Sequence, residues 1–116
     1  MEAADRENKM NNIYLIGFMG TGKTTVAKAL AQKLNMDVME MDDAIEAREG
    51  MDIPRIFQQR GEAWFRKVET DVLQEAAVRG NAVVSCGGGV PLKPENVAVM
   101  RKSGTVIMLS ASPGEI

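Results

Sequence analysis

The sequence predicts an α/β fold of three layers, with helices on both faces of a parallel sheet. Three observations lead there. Short apolar runs occur at 13–16, 37–41, 82–86 and 105–109 and are too apolar for half-solvated strands, so they fit strands buried on both faces. The segments between them repeat apolar residues every three to four positions, the period of a helix that covers a sheet. Strand and helix alternate along the chain, which implies right-handed crossovers between parallel neighbours.

Each element follows in order. Residues 1–10 carry five charged side chains and read as a disordered tail, with the folded domain over 11–116. Ile13-Tyr14-Leu15-Ile16 is the first strand, ended by Gly17. Lys23 to Leu34 is a helix whose stripe is Val26, Ala27, Leu30, Ala31 and Leu34. A second strand fits Asp37 to Met41. Asp42 and Asp43 stand at the start of the next helix, where carboxylates favour the positive end of the dipole, and Gly50 stops it. Pro54 suits the first turn of a short helix through Gln59. A long helix then runs from Glu62 to Val78 with Phe65, Val68, Val72, Leu73 and Ala76 inward. Ala82 to Cys86 is the third strand, broken by Gly87-Gly88-Gly89. Pro94 to Lys102 forms a last helix, and Thr105 to Leu109 the fourth strand.

Composition narrows the chemistry. The 116 residues fit one domain, and 14 Lys and Arg against 16 Asp and Glu give a net charge of −2. Such a balance offers no basic footprint for nucleic acid or an anionic membrane, and no apolar run is long enough for a span or a secretory leader. A cytoplasmic protein is expected. With no histidine and only Cys86, an imidazole acid/base, a His-based metal site and an internal disulfide are all excluded. Carboxylates, lysine, arginine, hydroxyls and backbone amides must do the work.

Between the first strand and first helix lies Gly17-Phe18-Met19-Gly20-Thr21-Gly22-Lys23-Thr24, the pattern G-x-x-x-x-G-K-[ST] in the strand, loop, helix context it requires. The glycines let successive N–H groups turn toward phosphate oxygens, and the helix N-terminus adds partial positive charge. Nucleotide contacts are therefore expected from Gly20, Thr21, Gly22, Lys23, Thr24 and Thr25. Lys23 would reach the β- and γ-phosphates, and Thr24 would ligate Mg²⁺ directly. A switch or motor NTPase would end a strand in a metal-binding aspartate. Here the third strand ends in Ser85-Cys86-Gly87, which weakens that reading; a small-molecule kinase would instead need a carboxylate near the acceptor hydroxyl and donors that fix the acceptor.

Ligands of parallel sheets sit at the C-terminal ends of the strands, and three features occur there. Glu40-Met41-Asp42-Asp43 closes the second strand, and strand alternation would turn Glu40 and Asp42 to one side, where one could serve the metal shell and the other an acceptor hydroxyl. A helix cap is the plainer reading of the two aspartates. Gly87-Gly88-Gly89 permits close backbone approach to a ligand, or is simply a permissive loop. Arg66 and Glu69, one turn apart, either aim a guanidinium at a ligand carboxylate or form a solvated pair.

The segments GFMGTGKTTVAKALA, MEMDDAIE, GEAWFRKVE and VVSCGGG, in that order and spacing, resemble shikimate kinase, one of the nucleoside-monophosphate-kinase-like P-loop enzymes. The resemblance runs from about Asn11 onward. It implies transfer of the ATP γ-phosphoryl to the 3-hydroxyl of shikimate, with Lys23 and Asp42 catalytic. It also implies shikimate contacts from Asp42, Arg66, Gly87, Gly88 and Gly89, and a Mg²⁺ shell that Glu40 and Ser85 reach through water. The family pattern resembles D-x-D where this chain has Glu40-Met41-Asp42, one methylene longer at the metal position. Cys86 stands where a small or apolar residue is usual and reads as packing.

Shikimate kinases continue past the fourth strand with a lid that carries an arginine, a fifth strand and a segment against the adenine. The sequence given ends at Ile116 without them, so the expectation is a monomer that binds phosphate and shikimate but transfers poorly. Alternatives are another small-acceptor kinase, of the gluconate or nucleoside monophosphate type, and a nucleotide-binding module with little activity.

Overall fold

The computed structural model describes residues 11–17 and 22–109. The expected tail at 1–10 and the loop residues Phe18 to Thr21, Gly20 and Thr21 among them, lie outside the described residues. The elements are β1 (Asn12–Gly17), α1 (Lys23–Leu34), β2 (Asp37–Glu40), α2 (Met41–Glu49), α3 (Ile53–Arg60), α4 (Glu62–Arg79), β3 (Ala82–Ser85), a 3-10 turn (Val90–Leu92), α5 (Pro94–Ser103) and β4 (Gly104–Leu109). The four strands are parallel in the order β2-β3-β1-β4.

Side-chain alternation on the two central strands divides the core in two. Leu15 of β1 and Val83 of β3 face α1, where they pack with Ala27 and Ala31. Tyr14, Ile16, Ala82 and Val84 point the other way, into a larger cluster with Met41 and Ile45 of α2, Ile56 of α3, five apolar residues of α4 and Met100 of α5. This is the expected three-layer arrangement. Alanines on α1 let that helix approach the sheet closely, while the opposite face takes the larger side chains.

The edge strands depart from expectation. All of β3 is buried, whereas in β4 Met108 is 71% exposed and Ile107 36%, and β2 begins exposed at Asp37 and Val38. Among the described residues β2 and β4 each have one strand neighbour, and their side chains are less covered than those of the central strands.

Local signals end the helices as read. Gly50 takes the left-handed conformation (φ 70°) after α2, and Asp52 caps α3 by accepting from the Arg55 N–H at 3.0 Å. A buried polar cluster fixes β1 among its neighbours. Asn12 Nδ2 donates to Tyr14 Oη and to the Ala76 carbonyl, both at 2.9 Å, and Asn12 Oδ1 accepts from the Ala82 N–H. Tyr14 Oη lies 2.6 Å from Ser103 Oγ. Every strong donor there has a partner, so the cluster specifies register without leaving an orphaned group. Among the described residues, no helix is long and apolar enough to cross a membrane.

Candidate active site

On the phosphate side, β1 runs straight into the loop and α1 begins at Lys23. Gly22, at φ 79°, adopts the left-handed turn that feeds the helix. No side chain caps the N-terminus of α1, and its first turn holds no acidic residue, in contrast to α2 with Asp42 and Asp43. Its first-turn amides and partial positive charge therefore meet no acidic side chain from the helix itself. Lys23 Nζ donates to the Gly17 carbonyl at 2.7 Å, which folds the ammonium over the end of β1. Thr24 and Thr25 follow, both exposed.

The acceptor side is assembled from three segments. β2 ends at Glu40 and α2 starts at Met41, so Asp42 lies on the first turn of a helix. Strand alternation therefore does not place Asp42, and that part of the sequence argument is corrected. Two carboxylates at the start of a helix are favoured by its dipole, and this ends the strand early. Neither aspartate caps the helix, because the N-cap is Glu40 and no side chain bonds there.

Asp42 nevertheless reaches the triple-glycine loop. A Cβ placed on Gly87 would sit 3.2 Å from Asp42 Oδ1 and 3.3 Å from Glu69 Oε2, so both carboxylates close on this one residue. Loss of hydration where the carboxyl meets its surroundings raises the Asp42 pKa, and Glu46, Glu40 and Asp43 add to the rise while Lys23 opposes it.

Arg66 and Glu69 are not a solvated pair. Glu69 Oε1 accepts from Arg66 Nη1 at 3.0 Å, and the Glu69 side chain is 3% exposed against 34% for Arg66. Burial raises the Glu69 pKa, and the hydrogen bond and charge of Arg66 work against that rise. Glu62 holds the other end of the guanidinium, 3.6 Å from Nε. The guanidinium also lies over the Phe65 ring, 5.2 Å from its centroid. A Cβ on Gly89 would fall 2.8 Å from Arg66 Cζ. Only glycine lets the fork rest on the loop.

The loop therefore joins Asp42 at its first glycine to Arg66 at its third, while Gly88 between them is exposed with open space where a side chain would be. Beside it lies a cleft of about 290 Å³ whose walls include Arg66, Glu69, Gly89, Lys93 and Asn96. A larger cleft of about 490 Å³ lies elsewhere, along Arg48, Asp71, Glu75 and Arg79, and contains none of these groups. Sequence reasoning missed Glu62, Lys93 and Asn96. Glu62 stands four residues before Arg66 and was within reach of the helical spacing rule, whereas Lys93 and Asn96 come into place only through the tertiary fold.

Glu40 and Ser85 are opposite each other in the β2–β3 register. Glu40 Oε2 is the one buried side-chain oxygen without a hydrogen-bond partner among the described residues. An orphaned carboxylate oxygen beside a serine hydroxyl fits a hard cation such as Mg²⁺ or its water shell. No group of three or more His, Cys, Asp or Glu among the described residues could hold a metal alone. Cys86, 1% exposed at the end of this strand, has its pKa pushed up to about 12, mainly by burial. It is a packing residue and a poor nucleophile.

Comparison with known proteins agrees with this layout. A family model described as shikimate kinase matches residues 19–116. A shikimate kinase of Sulfurihydrogenibium sp. (strain YO3AOP1) is 47% identical over 103 residues, which cover 89% of this chain and 62% of that protein. The crystal structure of shikimate kinase from Aquifex aeolicus superposes with a TM-score of 0.84 at 39% identity, over 90% of this chain and 62% of the other. Shikimate kinase from Acinetobacter baumannii in complex with shikimate gives 0.84 at 38% identity, over 97% and 62%. The chain spans about 60% of the length of the curated relatives it matches. With a family match over most of its length and a parallel sheet that superposes on solved members, the chain belongs to the shikimate kinase family.

Proposed function

We propose that this chain forms the phosphate- and acceptor-binding part of an enzyme that transfers the γ-phosphoryl of ATP to the 3-hydroxyl of shikimate. The observation that carries the reading is the single loop that meets a carboxylate at Gly87 and a buried-acid-held guanidinium at Gly89. A carboxylate suits ligand hydroxyls and a fork suits a ligand carboxylate, and shikimate offers both on one compact ring. The Acinetobacter baumannii neighbour, a shikimate kinase in complex with shikimate, supports the same choice. Gluconate carries a carboxylate and hydroxyls too, but a nucleoside monophosphate would present a dianion to a site already rich in carboxylates.

In this reading Asp42 accepts a hydrogen bond from the acceptor hydroxyl and orients it for in-line attack. Its raised pKa, next to Lys23, suits a group that takes the hydroxyl proton as the phosphoryl leaves ATP. Arg66 and the amides of Gly87, Gly88 and Gly89 fix the ring. Gly20, Thr21, Gly22, Lys23, Thr24 and Thr25 hold the nucleotide, with Lys23 against the charge that builds on the transferred group. Mg²⁺, when bound, would neutralise phosphate charge, and Thr24, Glu40 and Ser85 are the residues that would hold it or its waters.

Calorimetric titration with shikimate, gluconate and a nucleoside monophosphate, each with and without an ATP analogue, tests the proposal. Shikimate is expected to bind best. Lys23→Ala is expected to lose the ATP analogue and keep shikimate. Preference for gluconate or a monophosphate would overturn the choice of acceptor.

A further inference from the structure

Three consecutive glycines fix little about their own conformation, so the loop that carries Gly87 to Gly89 must be held from outside. Its internal bonds are those of a single 3-10 turn, Val90 N–H to the Gly87 carbonyl at 3.2 Å, Leu92 N–H to the Gly89 carbonyl at 3.1 Å and Lys93 N–H to the Val90 carbonyl at 3.4 Å. Among the described residues, one side chain bonds to the backbone of 87–93. Asn96 Nδ2 donates to the Val90 carbonyl at 3.1 Å.

Asn96 belongs to a directed chain. Its Oδ1 accepts from Thr70 Oγ1 at 2.9 Å, and Thr70 Oγ1 accepts from Lys93 Nζ at 3.2 Å. Asn96 and Thr70 are 1% and 5% exposed, and Thr70 follows Glu69 directly on α4. A lysine ammonium can only donate, so it occupies a lone pair of the hydroxyl and leaves the hydroxyl proton for Asn96 Oδ1. That sets the amide with its nitrogen toward Val90. The opposite orientation would press two carbonyl oxygens together.

We infer that Thr70 and Asn96, polarised by Lys93, are positioning residues that hold the triple-glycine loop against Arg66 and thereby set acceptor affinity. The contact they control is close, since Gly89 leaves no room for even a methyl group beneath the guanidinium. A small displacement of the loop therefore moves the fork. The inference rests on the reading of Arg66 as the acceptor clamp.

Two readouts keep the tests apart: amide hydrogen exchange over 87–92, which needs no ligand, and calorimetric titration with shikimate. Thr70→Val keeps shape and removes the hydroxyl. It is expected to retain the fold and ATP-analogue affinity, to speed exchange of the Val90 and Leu92 amides, and to weaken shikimate about fivefold, the worth of one hydrogen bond. Thr70→Ser should restore both. Lys93→Met, at a part-exposed position, should move both in the same direction by less and serves if Thr70→Val does not fold. Unchanged exchange in these variants would overturn the inference whatever the site binds. So would faster exchange with unchanged shikimate affinity, provided Arg66→Ala abolishes binding. If wild type does not bind shikimate, the acceptor reading fails and with it the link to affinity, while exchange still decides whether the three residues hold the loop.

Discussion

Two ion pairs start one residue apart on α4 and differ by 0.1 Å in length, yet they belong to different kinds of surface. Arg66–Glu69 spans 3.0 Å and Lys67–Asp71 spans 3.1 Å. Glu69 is 3% exposed under the Gly87 loop, whereas Lys67 and Asp71 are 68% and 40% exposed on the opposite face. The solvated pair is worth a few tenths of a kcal/mol and holds neither side chain in place. In the other, water cannot compete for the acid, so the guanidinium has a fixed seat. Distance alone does not separate a clamp from a decorated surface; the loop packed above it does.

The largest expected effect comes from removing the two cations in parallel. Arg66→Ala should weaken shikimate at least about thirtyfold, as loss of a charged partner does in a partly desolvated site, while Lys67→Ala should stay within about twofold. Calorimetric titration of both variants checks this. The acids come next. Glu69→Gln keeps an acceptor for Arg66 but removes the charge that seats it, and should weaken shikimate about tenfold with a stability change below about 1.5 kcal/mol. Asp71→Asn should change neither affinity nor stability by more than about 0.5 kcal/mol.

The smallest effect is on pH dependence. Asp42 and Glu69 both hold their protons more tightly when folded than when unfolded. Between the unfolded and folded pKa values the folded state therefore binds more protons, so these groups lower stability as pH rises through that window and restore it as pH falls. Urea unfolding across the carboxylate range should show Glu69→Gln and Asp42→Asn each removing part of that slope.

The two pairs also mark how far the sequence could be read. The spacing of Arg66 and Glu69 predicts that they touch, and nothing in GEAWFRKVE predicts that Glu69 is covered, because the cover comes from Gly87, eighteen positions further on. The phosphate side is the reverse case. Its eight-residue motif is contiguous, so the strand before it and the helix after it followed from the sequence itself, and Lys23 stands at the helix start as expected. Between these lies Asp42. Its approach to the acceptor loop was anticipated, but for a reason that fails, since the helix dipole claims both aspartates one residue before alternation could apply. Thr105 to Leu109 forms a strand as read, but among the described residues it pairs with β1 alone and leaves Met108 exposed. Lys93, Thr70 and Asn96 left no signal at all, being ordinary polar residues until the fold aligns them.

The claim at the centre is that the seat of Arg66 on Gly89 makes the acceptor site. Gly89 has φ −87° and ψ −9°, a conformation any residue adopts, so Gly89→Ala brings no backbone strain and only the guanidinium must give way. Calorimetric titration of shikimate into Gly89→Ala, beside its melting temperature, tests the claim most directly. The account predicts a fold as stable as wild type and shikimate affinity reduced at least about tenfold, roughly the effect of losing one charge-assisted bond. Wild-type affinity in a folded Gly89→Ala protein would contradict it.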